Sequence, residues 1–252
     1  MTRPANTLAR RLAQFQVALM LLTRIPAGRI KGDAPAMGST TWAWPLVGLV
    51  VGSLTAFAFG IAISAGLPPV MAAILALAAG ILITGGMHED GLADLADGFG
   101  GGRTRDQKLA IMRDSAIGSY GTMALILNVA IRATAIASHP DPAWALIGLA
   151  AASRATLPIA LALMPAARAD GLGRAATGVA MPPALFAAVF GFFCLMPLGL
   201  GTALIAGLTI AFAATCLSAL ALRQIGGQTG DVMGAMQQTG EVAGWVALVA
   251  CV

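Results

Sequence analysis

The chain alternates long apolar runs with short polar breaks, at a spacing typical of membrane helices. A hydrocarbon core about 30 Å thick is crossed by roughly 20 apolar residues in a helix. Six segments reach or approach that length: 42–65, 69–85, 118–138, 142–164, 183–200 and 202–222. A seventh apolar segment, 242–252, is too short to cross fully. The pattern predicts an all-α integral membrane protein with six or seven transmembrane helices.

The first forty residues show a different pattern. Polar side chains fall on one helical face, and apolar residues recur at helical spacing on another: Leu8, Leu12, Phe15, Leu19 and Leu22. This favours an amphipathic interfacial helix within a cytoplasmic segment, 1–41. A signal peptide is the alternative, but arginines follow the apolar stretch at once and no convincing small-residue cleavage site is present.

Composition supports a membrane protein that forms one domain over residues 1–252. Hydrophobic residues make up 58% of the chain and charged residues only 10%, whereas soluble domains carry about 25% charged residues. The three cysteines, Cys194, Cys216 and Cys251, lie in apolar runs without metal-ligand spacing, and we interpret them as packing residues. The net charge of +4 says less than the distribution of the charges, and no nucleic-acid partner is expected.

The basic residues predict the orientation of the spans. With the N-terminus in the cytoplasm, every loop lysine and arginine falls on the cytoplasmic side: Arg3, Arg10, Arg11, Arg24, Arg29, Lys31, Arg103, Arg105, Lys108, Arg113, Arg168, Arg174 and Arg223. The breaks on the opposite side, at 66–68, 139–141 and near 201, contain none. The positive-inside rule thus predicts a multi-pass protein of the bacterial inner membrane, with loops 86–117 and 223–241 in the cytoplasm.

Two further basic residues, Arg132 and Arg154, lie inside apolar spans. A charge at that depth is costly and usually faces a partner or a cavity. Alternatively, either residue lies near a helix end and extends to the interface. The sequence does not decide between the two interpretations.

The candidate chemistry is concentrated after the second span. Four of the eleven carboxylates fall within residues 85–98, and Asp90, Asp94 and Asp97 would share one narrow face of a helix. Like charges at this spacing destabilise a helix unless a cation neutralises them. Magnesium is the natural candidate, since it prefers carboxylate oxygens and bridges to substrate phosphates. Zinc fits less well, because His88 is the only imidazole nearby. A solvated acidic loop is the structural alternative.

Two other polar patches fall on the same predicted side. The patch 113–121 contains Arg113 and Asp114, which suit a phosphate and a metal ion respectively. The Gly-rich patch 226–234 contains Asp231, and Glu241 follows it. Gly-rich loops are weak signals alone, but the predicted topology brings the three patches to one face.

These motifs together resemble the cobalamin-5'-phosphate synthase (adenosylcobinamide-GDP ribazoletransferase) family over most of the chain. The resemblance rests on Thr-Arg-Ile-Pro at 23–26, Pro-Leu-Val-Gly at 45–48, Gly-Gly-x-His and Asp-Gly-Leu-Ala-Asp-x-x-Asp-Gly at 85–98, Ile-Met-x-Asp-Ser at 111–115, Gly-x-Tyr-Gly at 118–121 and Gly-Gly-x-Thr-Gly-Asp at 226–231. Glu89 departs from the family pattern, which has an apolar residue there; it either adds a ligand or points to water.

The resemblance implies the last assembly step of cobalamin, in which α-ribazole or its 5'-phosphate displaces GMP from adenosylcobinamide-GDP. It implies magnesium as the cofactor and the lipid bilayer as the surroundings. A homo-oligomer is compatible with the resemblance, and the sequence does not decide the oligomeric state. We expect the following site. The catalytic residues are His88, Asp90, Asp94 and Asp97. The metal ligands are Asp90, Asp94, Asp97, Asp114 and Asp231. The substrate-binding residues are Arg113, Ser115, Arg132, Arg154 and Thr229.

Two other functions remain as alternatives. A CDP-alcohol phosphotransferase also gathers aspartates at the cytoplasmic boundary, but its Asp-x2-Asp-Gly-x2-Ala-Arg run is not present, since Asp94-Leu-Ala-Asp97-Gly98 continues as Phe-Gly-Gly-Gly. A cation-coupled transporter would place its acids at mid-span and often shows an internal repeat, neither of which is visible.

Overall fold

The structure, a computed structural model, describes residues 7–30 and 32–251, so the expectations for Arg3, Lys31 and Val252 lie outside it. Across the described part the chain is helical, and its strand content is a single bridge between Ala166 and Gln228. The predicted all-α fold is confirmed. The helices are α1 (Thr7–Leu22), α2 (Trp44–Ser64), α3 (Pro69–Thr84), α4 (Met87–Gly101), α5 (Arg105–Ile111), α6 (Ser119–Ser138), α7 (Pro142–Leu163), α8 (Gly171–Ala175), α9 (Met181–Phe193), α10 (Leu200–Ile225) and α11 (Gly230–Ala250).

Five helical stretches in the described ranges are long and apolar enough to cross a membrane, and they contain α2, α6, α7, α9 and α10. α3 reaches that standard only together with α4, from which it is bent by 93°. That pair makes a sixth candidate span. Against the six or seven predicted spans, the described residues therefore contain five candidates, or six if the bent pair counts as one span. Five of the six predicted segments match the observed helices to within three residues at both ends, whereas α9 ends seven residues before the predicted position 200.

The C-terminal region differs from the prediction. The segment 223–241, expected as a Gly-rich loop, is mostly helical, because α10 continues to Ile225 and α11 begins at Gly230. Gly226 ends α10 in a left-handed conformation with φ of 78°, and the Thr229 side chain caps α11 by accepting a hydrogen bond from the Val232 amide at 3.3 Å. The short final helix expected from 242 is thus a longer helix, and most of its side chains are buried against neighbouring helices.

The acidic segment 86–117, expected as a cytoplasmic loop, contains the helices α4 and α5. The helix predicted from the aspartate spacing is confirmed as α4. Gly85 and Gly86 make the turn into it with φ angles of 71° and 72°, a conformation that residues with a Cβ rarely adopt. This turn is what sets α4 nearly perpendicular to α3.

Close backbone contacts hold α4 against α11. A Cβ atom on Gly91 would lie 3.0 Å from the Cα atom of Asp231, and one on Gly234 would lie 3.1 Å from the carbonyl oxygen of His88. Small residues at helix crossings permit such an approach in membrane proteins. The crossing brings the first turn of α11 beside the acidic face of α4.

The N-terminal amphipathic helix is confirmed as α1. Leu8 and Leu12 are 65% and 59% exposed, whereas Leu22 is buried and Phe15 packs against the core. The apolar residues near the start of α1 are therefore largely exposed, while the end of the helix is anchored in the protein. Its position on the membrane surface stays a prediction.

Candidate functional site

Three carboxylates meet where α4 crosses α11. Asp90 and Asp94 lie on α4, and Asp231 lies in the first turn of α11. Burial raises the pKa of Asp94 to about 7, and repulsion from Asp90 and Asp231 contributes to the same increase. Asp231 is far from the other two along the chain, and the fold brings it close enough to interact electrostatically with both.

Arg168 supplies the positive charge beside this group, a role that the sequence did not reveal. Its guanidinium donates to the Asp231 carboxylate at 3.2 Å and to the Leu109 carbonyl at 3.1 Å, and its side chain is only 15% exposed. Burial raises the pKa of Asp231, and Arg168 partly offsets that effect. In the sequence Arg168 is one loop arginine among several, so no local motif distinguishes it.

Asp97 occupies a different position from Asp90 and Asp94. Its carboxylate accepts hydrogen bonds from the backbone amides of Gly118 at 2.7 Å and Gly121 at 2.9 Å. Both amides belong to the N-terminal turn of α6, which favours a negative charge. A Cβ atom on either glycine would collide with this carboxylate. The Gly-x-Tyr-Gly motif therefore seats Asp97 as the cap of α6.

A solvent-open cavity of about 760 Å³, which we call the acidic cleft, lies along the exposed face of α4. It is lined by Asp90 and Asp94 together with Arg113, Asp114 and Ser115. The structure thus gathers five of the expected site residues around one cavity. Arg113 also forms an exposed ion pair with Asp170, and Asp114 accepts a hydrogen bond from the Ala116 amide at 3.0 Å.

A second cavity, which we call the apolar pocket, has a volume of about 140 Å³. Its walls come mainly from leucines, methionines, glycines and Trp44, and its polar residues are His88, Asp90 and Asp231. His88 is 2% exposed, and both of its ring nitrogens are buried without a hydrogen-bond partner among the described residues. Asp90 lines both cavities, so they meet at the first turn of α4.

Thr229 lies beside the carboxylate group but is almost fully buried. Its hydroxyl caps α11 and also donates to the Asp231 carboxylate at 3.2 Å. Thr229 therefore orients Asp231 in this structure.

Arg132 and Arg154 lie away from both cavities, in a buried polar network between α4, α6, α7 and α11. Both form ion pairs with Glu241. Of the two interpretations left open by the sequence, the structure supports a buried partner. Gln238 extends the network to α4, because its side-chain amide donates a hydrogen bond to the Glu89 carboxylate at 2.8 Å. Glu89 therefore faces the protein interior rather than bulk water.

The donors at the acidic cleft are carboxylates, which are the ligands that magnesium prefers. Among residues 7–30 and 32–251, no three His, Cys, Asp or Glu side chains are close enough to hold one ion together. Magnesium is usually bound by one or two carboxylates, several waters and substrate phosphates rather than by a protein cage. The carboxylates of Asp90 and Asp94 lie close enough to repel one another, and both offer only oxygen donors. They therefore fit a magnesium ion that is held by two carboxylates, several waters and substrate phosphates.

Comparison with known proteins identifies relatives over almost the full length. Residues 14–249 match the family described as cobalamin-5-phosphate synthase. A protein of Bradyrhizobium diazoefficiens named adenosylcobinamide-GDP ribazoletransferase is 45% identical over 245 residues, covering 94% of this chain and 93% of its own. A protein of the same name from Mesorhizobium japonicum is 44% identical and covers 100% of this chain and 98% of its own. No solved structure matches the chain.

Proposed function

The chain belongs to the cobalamin-5-phosphate synthase family, and from this premise we propose that it is an adenosylcobinamide-GDP ribazoletransferase that acts by magnesium-assisted phosphotransfer. The observation that carries the proposal is the crossing of α4 and α11, which gathers Asp90, Asp94 and Asp231 at the junction of two cavities. Family membership also argues against the CDP-alcohol phosphotransferase and transporter alternatives.

The proposed reaction joins two substrates by one displacement at phosphorus. A ribose hydroxyl oxygen of α-ribazole, or of its 5'-phosphate, forms a bond to the phosphorus that carries the cobinamide. The bond from that phosphorus to the GMP oxygen breaks, and GMP leaves with the electron pair. The hydroxyl proton passes to a base on the protein. In-line geometry requires the incoming and leaving groups to approach from opposite sides, and two cavities that meet at Asp90 suit this requirement.

We assign Asp94 as the base. A pKa near 7 allows a carboxylate to accept a proton and release it again at neutral pH. Asp94 lines the acidic cleft and is only partly buried, so a substrate hydroxyl can reach it. His88 is less suited to this role, because it lies in the apolar pocket and is fully buried.

We assign Asp90 to the cation, together with Asp114, which lines the same acidic cleft. The Asp90 side chain forms no hydrogen bond or ion pair within the described ranges, which leaves both oxygens available. Bound Mg²⁺ would neutralise the charge that develops on the diphosphate oxygens during the displacement. Arg113 and Ser115 border the same cleft and would contact the nucleotide phosphates.

Asp97 and Asp231 take supporting roles in this scheme. Asp97 fixes the entry of α6 beside the cleft, and Asp231 holds Arg168 near the crossing of α4 and α11. Arg132 and Arg154 stabilise the bundle through Glu241 rather than bind phosphate. We further propose that the enzyme lies in the bacterial inner membrane with the cleft facing the cytoplasm, where nucleotide substrates are found.

The test is an assay of the purified full-length protein in detergent with adenosylcobinamide-GDP, α-ribazole and Mg²⁺. We expect stoichiometric release of GMP and a cobamide product, and loss of both when EDTA is added. Parallel reactions with α-ribazole 5'-phosphate would decide which nucleophile is used. Absence of GMP release with every divalent cation and with both nucleophiles would refute the proposed reaction. GMP release that is unaffected by EDTA would refute the role of the cation.

A further inference from the structure

Arg105, the first residue of α5, joins three segments that are distant along the chain. Its guanidinium donates to the Ile225 carbonyl at 2.9 Å and to the Ala167 carbonyl at 2.7 Å. Ile225 is the last residue of α10, and a carbonyl in the last turn of a helix has no partner within that helix. Ala167 is itself fixed, since its amide donates to the Gln228 carbonyl at 2.8 Å. Arg105 therefore fastens the start of α5 to the end of α10 and to the loop before α8.

Arg168 makes the connection in the reverse direction. It lies in the loop before α8 and donates to the Leu109 carbonyl at 3.1 Å, while it also pairs with Asp231 at 3.2 Å. Leu109 belongs to the last turn of α5, where the carbonyls again lack helical partners. We call Arg105 and Arg168 the arginine clamp. The clamp fixes both ends of α5 to the elements that surround Asp231.

α5 leads directly into one side of the acidic cleft. Residues 112–115, which we call the cleft wall, follow its last turn at once and line the cleft. Arg113 and Ser115, the proposed contacts for the nucleotide phosphates, belong to the cleft wall. Asp90 and Asp94 line the same cleft from α4, which is a different element. A shift of α5 would therefore move the phosphate contacts relative to the two carboxylates.

α5 has local supports that do not depend on the clamp. Thr104 and Gln107 form a capping box at its start, and the Lys108 ammonium donates to the Gly102 carbonyl at the end of α4. Among the described residues, the clamp supplies the hydrogen bonds from α5 to α10 and to the loop before α8. Loss of the clamp should therefore leave α5 helical and loosen its attachment to those two elements.

We propose that Arg105 and Arg168 are positioning residues, which hold the cleft wall in the arrangement that binds the phosphate-bearing substrate, adenosylcobinamide-GDP. This inference rests on the proposed function. Without the clamp, the cleft wall would adopt the binding arrangement for only a fraction of the time, and the apparent affinity for the substrate falls by that fraction. Bound substrate restores the arrangement, so turnover at saturation changes little.

The first test is the division of the effect between KM and kcat in Arg105→Gln. The KM for adenosylcobinamide-GDP should rise about fivefold or more, while kcat per folded protein stays within about twofold. A loss of folded protein alone would lower the rate at saturation and leave KM unchanged. Unchanged KM in Arg105→Gln would overturn the clamp.

Two further variants separate the clamp from a general effect of charge. Arg105→Lys should resemble Arg105→Gln, because an ammonium cannot reproduce the two directed bonds of the guanidinium fork. Wild-type kinetics in Arg105→Lys would show that the charge is sufficient and would overturn the clamp. Arg103→Gln, at an exposed arginine two residues away, is the matched control and should behave as wild type. Thermal unfolding of each variant would measure any loss of stability.

The second test measures the position of α5 without substrate. Spin labels at Ala110→Cys on α5 and at the natural Cys216 on α10, with the other two cysteines replaced by alanine, report one distance distribution by electron paramagnetic resonance. Both positions are exposed. Arg105→Gln should widen the distribution, whereas Arg103→Gln should leave it unchanged. Equal widths in the two variants would overturn the clamp.

Failure of the clamp can be distinguished from failure of the proposed reaction. Equilibrium dialysis gives the affinity for adenosylcobinamide-GDP without turnover. Weaker binding and a wider distance distribution in Arg105→Gln, with no GMP release by the wild-type protein, would refute the reaction and leave the clamp standing. Normal GMP release with unchanged KM and unchanged distances in Arg105→Gln would refute the clamp and leave the reaction standing.

Discussion

At the scale of single residues, three aspartates that share one helix face have different surroundings. Asp90 is exposed at the junction of the cavities, Asp94 is partly buried in the cleft, and Asp97 is 8% exposed and capped by two backbone amides. Their spacing alone placed them on one helix face and did not decide which would bind a metal ion and which would act as a base. The three carboxylates differ because the neighbouring helices give each of them different partners.

Asp94→Asn should abolish turnover without unfolding the protein. Removing a general base typically costs 10²–10⁴-fold in rate, while loss of a carboxylate that is repelled by Asp90 and Asp231 should leave the melting temperature unchanged or higher. Turnover and thermal unfolding measured in the same detergent would check both. Asp106→Asn, whose side chain is 92% exposed on α5, is the control and should behave as wild type. Wild-type turnover in Asp94→Asn would remove Asp94 from the mechanism.

The same carboxyl predicts the direction of the pH dependence. A base must be ionised to act, so kcat/KM should rise as pH increases through the pKa of Asp94, near 7 in the absence of a cation. A nearby divalent cation favours the ionised form. The acidic limb should therefore move to lower pH as the Mg²⁺ concentration increases, which a series of pH profiles would show. A limb that is insensitive to Mg²⁺ would contradict an interaction between the cation and Asp94.

Asp97→Asn should act mainly on stability. The amide side chain can accept only through its oxygen and carries no charge for the N-terminus of α6, so one buried backbone amide loses its partner. Loss of a cap costs about 0.5–2 kcal/mol. We expect a lower melting temperature together with residual turnover in the protein that remains folded. Unchanged stability with complete loss of turnover would instead indicate a direct catalytic role.

At the scale of elements, the crossing of α4 and α11 assembles the site. Gly91 and Gly234 face each other there, and each approaches the backbone of the opposite helix. The sequence shows both glycines inside motifs but does not show that the motifs touch. A glycine-rich stretch looks like a loop by composition, and burial of α11 against five other helices, α4, α6, α7, α8 and α10, outweighs that local preference.

Gly91→Ala should therefore reduce turnover by separating the two helices. The added methyl group would lie 3.0 Å from backbone atoms of Asp231, which cannot move aside as a flexible side chain can. A shift of a few tenths of an ångström would displace Asp231 relative to Asp90 and Asp94. Gly60→Ala on α2 is the matched control, since a Cβ atom there has no described neighbour within 4 Å. Turnover equal to that of Gly60→Ala would show that the crossing is not critical.

At the scale of the whole molecule, buried charge links the bundle to the site. Glu241 on α11 pairs with Arg132 on α6 and Arg154 on α7, and Gln238 connects this network to Glu89 on α4. Removing one partner of a buried pair leaves an uncompensated charge. The network therefore ties three helices of the bundle to the helix that carries Asp90 and Asp94.

Orientation in the membrane is a prediction for the whole chain. In a variant without Cys194, Cys216 and Cys251, Arg103→Cys should react with a membrane-impermeant reagent only in inside-out vesicles. Gly66→Cys should react only in right-side-out vesicles. The expectation follows from the absence of lysine and arginine in the turns on the Gly66 side. The opposite labelling pattern would place the acidic cleft outside the cytoplasm and remove its access to nucleotides.

The sequence by itself determined the membrane class, most helix boundaries, the helical character of the acidic segment and the family. These properties depend on hydrophobic periodicity and local motifs, which the chain displays directly. Only the tertiary structure decided that Arg168 joins Asp231, that Asp97 caps α6, that Arg132 and Arg154 pair with Glu241, and that His88 is buried. Each of these depends on which helix packs against which, and residues far apart in the chain carry no local signal of that contact.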